Sequence, residues 1–306
     1  MRSLRTVRIS VTAECDLDCV YCNAGPERCG SSSLTPGGIA LVAEGAALAG
    51  ATMVRLTGGE PLLRDDLEEI VGRVAELAGI REVALTTNAR ELASRARMLR
   101  DAGLRRVNIG LPSLSPETYR RMTGGELAPA LSGIEAALDA GLAPVKLNVV
   151  VIGGANSGEL AGFVGLARTR PVEVRFIERM PFAGADGLVT AGEIRARLAA
   201  SLGAGALEAS GFSPTAEVFQ PAGFAGRIGI IAPVTEPFCS RCDRLRVTSD
   251  GRLRACLSEP GDVDILGMLR EGAGPSALAA AFREAFARKP ARHAASFAGH
   301  MRGIGG

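Results

Sequence analysis

Short segments rich in β-branched and other apolar residues alternate with amphipathic segments over the first two-thirds of the chain. The alternation predicts six strands, at residues 7–12, 53–57, 82–87, 106–111, 145–151 and 172–177. Helix starts are indicated at Thr35-Pro36 and Ser115-Pro116, where an N-cap residue precedes a proline, and helix ends at Gly103 and Gly141. Strands and helices that alternate at this spacing predict parallel strands joined by crossover helices. Six such units would form an incomplete (β/α)6 TIM-like barrel.

Within the predicted strands, apolar and polar residues alternate with a period of two. Helices must cover the apolar face, so the polar face is expected to line the lumen of the barrel. This places four cations from four different strands in the lumen: Arg8, Arg55, Lys146 and Arg175. Converging cations predict an anionic ligand such as a polyphosphate. The alternative is internal ion pairing with carboxylates such as Glu60 or Glu173, and the two can coexist.

The βα rhythm ends after residue 177, where Pro, Gly and Ala become common. We therefore predict two domains, a barrel over residues 1–184 and a C-terminal domain over 185–306. The formal net charge of +2 over 306 residues favours neither nucleic acid nor a membrane surface as a partner. No apolar run approaches the roughly 20 residues of a membrane helix, and the first residues lack a signal-peptide pattern. We expect a cytoplasmic protein with reduced thiols.

Three cysteines near the N-terminus form the pattern C-x3-C-x2-C: Cys15, Cys19 and Cys22. Three thiolates on one short loop can bind three irons of a four-iron cluster and leave the fourth iron open to a small molecule. A zinc site or a disulfide is the alternative, but zinc would need a fourth ligand. The spacing therefore favours a [4Fe–4S] cluster with an open iron.

Three further cysteines form the pattern C-x2-C-x13-C: Cys239, Cys242 and Cys256. The dipeptide Asp250-Gly251 predicts a hairpin turn that returns the last cysteine to the first two. A second open cluster is favoured, and the alternative is zinc with a substrate atom, His293 or His300 as fourth ligand. The seventh cysteine, Cys29, is interpreted as a free thiol without a role. Three residues share the hairpin face that is expected to meet a ligand: Arg244, Arg246 and Thr248.

Several further motifs accompany the two cysteine patterns along the whole chain: Leu56-Thr57-Gly58-Gly59-Glu60-Pro61-Leu62-Leu63-Arg64, Thr86-Thr87-Asn88, Val145-Lys146-Leu147-Asn148, Val174-Arg175-Phe176-Ile177-Glu178 and Ile304-Gly305-Gly306. With them, the chain resembles the GTP 3′,8-cyclase family of radical S-adenosylmethionine (SAM) enzymes. The resemblance implies an α/β fold. It would be an incomplete (β/α)6 barrel of the radical SAM type, with a C-terminal extension that carries a second Fe–S cluster.

The resemblance also implies residue roles. The first cysteine set would hold the cluster that chelates SAM, and further SAM contacts would come from Tyr21, Gly58, Gly59, Glu60, Thr87 and Gly110. The second set would hold an auxiliary [4Fe–4S] cluster whose open iron meets the guanine. GTP contacts would come from Arg8, Arg55, Lys146, Asn148, Arg175, Arg244, Arg246 and the tail residues Gly305 and Gly306. Three of these residues are the catalytic candidates: Arg8, Arg55 and Arg175.

The implied reaction is radical. A 5′-deoxyadenosyl radical would remove hydrogen from the ribose C3′ of GTP, the C3′ radical would add to guanine C8, and a further electron and proton would complete the cyclised product. The product is (8S)-3′,8-cyclo-7,8-dihydroguanosine 5′-triphosphate, an intermediate of molybdenum cofactor biosynthesis. The implied partners are an electron donor such as flavodoxin or ferredoxin and the cyclic pyranopterin monophosphate synthase that takes the product. A homodimer is compatible with this reading.

Two departures from the family pattern favour an alternative. Met53 stands where the family usually has Lys, and Pro112 ends a segment that usually reads Ser-Leu-Asp. They point to a paralogue with the same two clusters that acts on another nucleotide or metabolite. A third hypothesis is a non-catalytic iron–sulfur protein. The segment Gly58-Gly59-Glu60 argues against it, because an electron carrier needs no SAM site.

Overall fold

The structure, a computed structural model, describes residues 2–22, 34–181, 186–202, 207, 209–259, 261–293 and 301–304. Six strands form its centre, and all six lie at the predicted positions within two residues at each end. Their bounds are β1 Thr6–Ser10, β2 Met53–Thr57, β3 Glu82–Thr87, β4 Leu104–Gly110, β5 Val145–Val151 and β6 Val172–Glu178. They pair in sequence order and in parallel, which confirms the predicted incomplete barrel.

Helices connect these strands and cover their apolar face. They are α1 Pro36–Leu48, α2 Leu67–Ala75, α3 Leu92–Asp101, α4 Pro116–Thr123, α5 Leu127–Asp139 and α6 Leu160–Thr169. The predicted starts are confirmed, because Thr35 and Ser115 each accept a hydrogen bond from a first-turn amide. Gly103 lies two residues after the end of α3 and has φ 112°, a backbone conformation that glycine adopts without strain.

Among the residues described after β6, six further strands and four further α-helices follow. The strands are β7 Ala209–Phe212, β8 Glu217–Phe219, β9 Arg227–Ile231, β10 Arg244–Val247, β11 Arg252–Arg254 and β12 Val263–Asp264. The helices are α7 Ala191–Leu202, α8 Ile265–Arg270, α9 Pro275–Ala287 and α10 Met301–Ile304. No described helix is both long enough and apolar enough to span a membrane. The predicted boundary near residue 185 stays a prediction.

The added strands extend both edges of the barrel sheet. The strand order is β12-β11-β10-β1-β2-β3-β4-β5-β6-β9-β8-β7, in which β10 pairs in parallel with β1 and β9 in parallel with β6. The first cysteine set follows the end of β1, whereas Cys242 precedes the start of β10. Because β1 and β10 run in the same direction, the two sets lie toward opposite ends of a strand pair about 16 Å long.

The close approach of α5 to the end of β3 generates a test of the packing. A Cβ atom at Gly133 would lie 2.1 Å from the carbonyl oxygen of Ala89, a residue in the left-handed region with φ 65°. Gly133→Ala should therefore lower the free energy of unfolding by about 1–3 kcal/mol. The matched control is Gly165→Ala in α6, where a Cβ meets nothing within 4 Å. It should raise stability by up to about 1 kcal/mol.

Both variants can be compared with the unchanged chain by anaerobic urea denaturation. If Gly133→Ala were as stable as Gly165→Ala, the result would contradict the close approach of Gly133 to the carbonyl oxygen of Ala89.

Candidate active site

A cavity of about 340 Å³ extends through the lumen from the first cysteine set to the second. All six predicted cluster cysteines line it. So do most of the other predicted site residues: Arg8, Tyr21, Arg55, Gly58, Gly59, Glu60, Thr87, Gly110, Asn148, Arg175, Arg244 and Arg246. One space therefore adjoins both cysteine sets and most of the predicted SAM and GTP contacts.

Lys146 is the predicted lumen cation that does not line this cavity. It lies in a second cavity together with Glu173 and Arg175. Its Nζ is 3.2 Å from the Glu173 carboxylate, and the Nε of Arg175 is 2.5 Å from the same group. Internal ion pairing with Glu173 is thus present. Arg175 lines both cavities, so it can serve both the ion pair and a ligand.

The predicted tail residues Gly305 and Gly306 lie outside the described residues, as does Cys29. The residue before the tail, Ile304, is buried and packs against Leu257 and Met180. Both of these partners line the main cavity. The described end of the chain therefore lies against the cavity wall.

The segment after β2 that contains Gly58 and Gly59 packs against the backbone of the first cysteine loop. The amide of Gly59 donates to the carbonyl of Thr12 at 2.8 Å, and the amide of Glu60 donates to the carbonyl of Glu14 at 2.6 Å. A Cβ atom at Gly59 would lie 2.0 Å from the carbonyl oxygen of Glu14, so no larger residue fits there without a backbone shift. This close approach explains the Gly-Gly pair, since it presses the segment against the residue before Cys15.

Glu60 is buried and joins three segments at this end of the cavity. Its carboxylate accepts hydrogen bonds from the amides of Leu62 and Asn88 and from the hydroxyl of Thr87, at 3.0, 2.6 and 2.7 Å. Burial raises the pKa of Glu60 to about 7, although these hydrogen bonds act in the opposite direction. The side chain of Asn88 in turn donates to Asp16 at 2.7 Å, which ties the cysteine loop to the end of β3.

Three arginines form a row across adjacent strands in the middle of the cavity. Arg8 of β1 is in register with Arg246 of β10 on one side and with Arg55 of β2 on the other. The pKa of Arg55 and that of Arg246 are lowered to about 9, mainly by burial and in part by neighbouring guanidinium groups. A bound polyphosphate would offset this mutual repulsion and accept hydrogen bonds from the same groups.

Buried polar atoms without a hydrogen-bond partner among the described residues also border the cavity. They are Arg55 Nε, Thr86 Oγ1, Asn108 Oδ1 and Asn148 Oδ1. Buried polar groups in folded proteins are nearly always bonded. Hydrogen-bond donors and acceptors without a partner among the described residues therefore surround one cavity. This arrangement fits a polar ligand with several functional groups.

Sequence reasoning missed two residues of the lumen, Arg106 and Asn108. Both lie on β4, on the same face as Gly110, so the period-two alternation used for the other strands would have found them. Arg106 forms an ion pair with Glu82, and its Nη2 lies 3.0 Å from the sulfur of Met53. A cation from β4 thus lies beside Met53 of β2.

The predicted hairpin carries the second cysteine set. Strands β10 and β11 are antiparallel, and Gly251 in the turn between them has φ 80°. The start of β10 and the end of β11 are therefore adjacent, which brings Cys256 beside Cys242. Burial acts to raise the pKa of Cys242, but the charges of Arg244 and Lys289 outweigh it and lower the pKa to about 7. The thiolate that a metal or cluster requires is favoured there.

His293, the described candidate for a fourth zinc ligand, lies at the same place. Its backbone amide donates to the sulfur of Cys239 at 3.4 Å, and its ring Nε2 is 2.7 Å from the carbonyl oxygen of Pro233. Among the described residues, no three His, Cys, Asp or Glu side chains meet at a point that one metal ion could occupy. A four-iron cluster makes no such demand, because each thiolate binds a different iron.

Comparison with known proteins assigns the chain to a family. The family model of the radical SAM superfamily matches residues 9–167, and that of Molybdenum Cofactor Synthesis C matches residues 172–295. A GTP 3′,8-cyclase of Pelotomaculum thermopropionicum is 45% identical over 306 residues, covering 95% of this chain and 93% of the relative. The chain belongs to the GTP 3′,8-cyclase family of the radical SAM superfamily. A second relative with this name, from Moorella thermoacetica, is 42% identical over the same shares of both chains.

A solved structure shares the fold at low sequence identity. Streptococcus suis SuiB bound to S-adenosylmethionine aligns with a TM-score of 0.65 and 13% identity, over 92% of this chain and 68% of SuiB. The radical SAM fold predicted from the sequence is thus confirmed. Membership of the superfamily implies one [4Fe–4S] cluster and SAM. The donor set fits them, since three thiols and the glycine-supported edge adjoin the same end of the cavity.

The three donors to Glu60 generate a second test. In Glu60→Gln, the NH2 group of the side-chain amide would face at least one of the three N–H or O–H donors and could not accept its hydrogen bond. This should lower the free energy of unfolding by about 1–3 kcal/mol. Urea denaturation of the cluster-free protein measures the change. The matched control is Glu126→Gln, which removes a carboxylate from the exposed pair with Arg120 and should cost less than about 1 kcal/mol. Similar losses in both variants would contradict the role given to Glu60.

Proposed function

We propose that the chain converts GTP to (8S)-3′,8-cyclo-7,8-dihydroguanosine 5′-triphosphate in molybdenum cofactor biosynthesis. The row of Arg8, Arg55 and Arg246, set between two cysteine sets in one cavity, is the observation that carries this proposal. A triphosphate supplies the several negative charges that such a row needs. A nucleoside attached to it would occupy the remainder of the same cavity.

Cys15, Cys19 and Cys22 are the proposed ligands of the first cluster. When bound, this cluster supplies the electron that cleaves SAM into methionine and a 5′-deoxyadenosyl radical. The protein itself contributes binding, orientation and exclusion of water. The backbone of Gly58 and Gly59 and the carboxylate of Glu60 order the edge at which SAM would lie. Tyr21, Thr87 and Gly110 line the same cavity and are proposed SAM contacts.

Cys239, Cys242 and Cys256 are the proposed ligands of a second [4Fe–4S] cluster, and its open iron would meet the guanine. The antiparallel pairing of β10 and β11 supports this, because it brings the three thiols to one wall of the cavity. The guanidinium carbon of Arg244 lies 5.2 Å from the centroid of the Phe238 ring, over its face. This cation–π contact holds the guanidinium beside the same wall. Asn148 and Arg175 are the remaining proposed GTP contacts in the main cavity. Lys146, also a proposed GTP contact, lines the second cavity.

The proposed partners follow from the chemistry. The first cluster must receive single electrons, which flavodoxin or ferredoxin can deliver, in a reducing compartment such as the cytoplasm. The product would pass to cyclic pyranopterin monophosphate synthase. We further propose a homodimer, which analytical ultracentrifugation of the reconstituted protein can test.

An anaerobic assay with reconstituted protein, SAM, dithionite and GTP, followed by mass spectrometry, tests the function. Cyclised GTP together with 5′-deoxyadenosine is the expected result. Release of 5′-deoxyadenosine with GTP unchanged would favour a paralogue with another substrate, to which Met53 and Pro112 also point. Absence of SAM cleavage by a fully loaded protein would refute both enzyme hypotheses and leave the non-catalytic iron–sulfur protein.

Removal of one arginine from the row should weaken GTP binding selectively. We expect Arg55→Ala to raise the dissociation constant for GTP at least tenfold, because a charged hydrogen bond contributes about 1.5–3 kcal/mol. Isothermal titration of the cluster-loaded protein under anaerobic conditions measures it. The control is Arg105→Ala, which removes an exposed guanidinium on β4. Equal affinities in the two variants would place the triphosphate elsewhere.

A further inference from the structure

Lys289 occupies a buried position at the second cysteine set. The chain contains 35 lysines and arginines, and only Lys146 and Lys289 among them are lysines. Lys289 follows the end of α9, is 7% exposed and lines the main cavity. A buried ammonium group is costly unless it is bonded and its charge is offset. Its surroundings therefore indicate what it does.

The ammonium group joins the two backbone segments next to Cys242 and Cys256. Its Nζ donates to the carbonyl of Arg244 at 2.9 Å and to the carbonyl of Ala255 at 2.5 Å. The first carbonyl lies two residues after Cys242 and the second one residue before Cys256. One side chain thus links the backbone beside both thiols.

The backbone of Lys289 is linked to the remaining cysteine. Arg2 donates from Nη2 to the carbonyl of Lys289 at 3.0 Å and from Nη1 to the carbonyls of Pro290 and Cys239, both at 2.9 Å. The main chain at Lys289 is therefore held beside Cys239, while its side chain holds the other two segments. All three cysteine-bearing segments meet at this residue.

The charge of Lys289 also reaches the sulfur atoms. It interacts electrostatically with the thiols of Cys242 and Cys256. Water screens such an interaction little at a buried position. An ammonium group has three N–H donors, and two of them bond the carbonyls described above. The third can bond a sulfur atom.

We propose that Lys289 is a positioning residue of the second cluster, whose segments it holds together and whose reduction potential its positive charge raises. The inference rests on the proposed second cluster. Reduction adds one electron and hence one negative charge to a cluster, so a fixed positive charge nearby stabilises the reduced form more than the oxidised form. Loss of the charge should make reduction harder.

Redox titration followed by electron paramagnetic resonance tests the proposal, in a background in which Cys15, Cys19 and Cys22 are all replaced by Ala. Only the second cluster then contributes to the signal, and dithionite supplies the electron. Lys289→Gln should lower the ratio of reduced to oxidised cluster about tenfold at a given potential. This corresponds to a midpoint about 59 mV more negative. Lys289→Arg, which keeps the charge, should stay close to the background.

Arg288→Gln is the matched control, because it removes one positive charge from the neighbouring, largely exposed residue. It should leave both the iron content and the midpoint potential unchanged. Iron analysis of the protein that lacks Cys15, Cys19 and Cys22 tests the proposed second cluster separately from the role of Lys289. Absence of iron there would refute the second cluster and would overturn the proposal with it.

Each outcome of these measurements either supports or overturns the proposal. A more negative midpoint potential in Lys289→Gln alone, or loss of the second cluster from Lys289→Gln but not from Lys289→Arg, supports the proposal. A fully loaded Lys289→Gln with an unchanged potential overturns it. Loss of the cluster from both variants also overturns it, since shape rather than charge would then matter.

Discussion

Repulsion among guanidinium groups on neighbouring strands is the constraint around which the lumen is built. Arg8, Arg55 and Arg246 are held in register by parallel strand pairing, so they cannot separate without breaking the sheet. Two means of offsetting the repulsion are visible. Carboxylates such as Glu173 pair with some of the cations, and the open cavity leaves room for an anion beside the others. A binding site that is poised for a polyphosphate is the consequence.

The barrel strands and three of the arginines that line the cavity could be predicted from the sequence because both depend on local periodicity. The expected SAM contacts came from the family resemblance. Alternation in β1, β2 and β6 was sufficient to place Arg8, Arg55 and Arg175 in the lumen, and Asp250-Gly251 was sufficient to place the hairpin turn. These features follow from side-chain direction within one strand or from a single turn, and neither requires knowledge of distant parts of the chain.

Contacts between segments that are far apart in sequence could not be predicted in this way. Lys146 shares the polar face of β5, yet its position opposite Glu173 on β6 takes it into a second cavity, which depends on the register of two strands. The bonds of Lys289 to Arg244 and Ala255 depend on how α9 lies against the hairpin. Lys289 lies after the end of α9, where neither helix nor strand periodicity assigns a direction to its side chain.

The pairing of β10 with β1 has a consequence for biogenesis. Thr6 and Arg244, which face one another in the sheet, are separated by most of the chain. During synthesis, β1 therefore remains an unpaired edge until the C-terminal third has left the ribosome, with its N–H and C=O groups open to other strands. The first cysteine loop adjoins this late-closing edge. Iron delivery to the nascent chain would thus meet β1 as an edge strand, whereas delivery to the finished chain would meet β1 covered by β10.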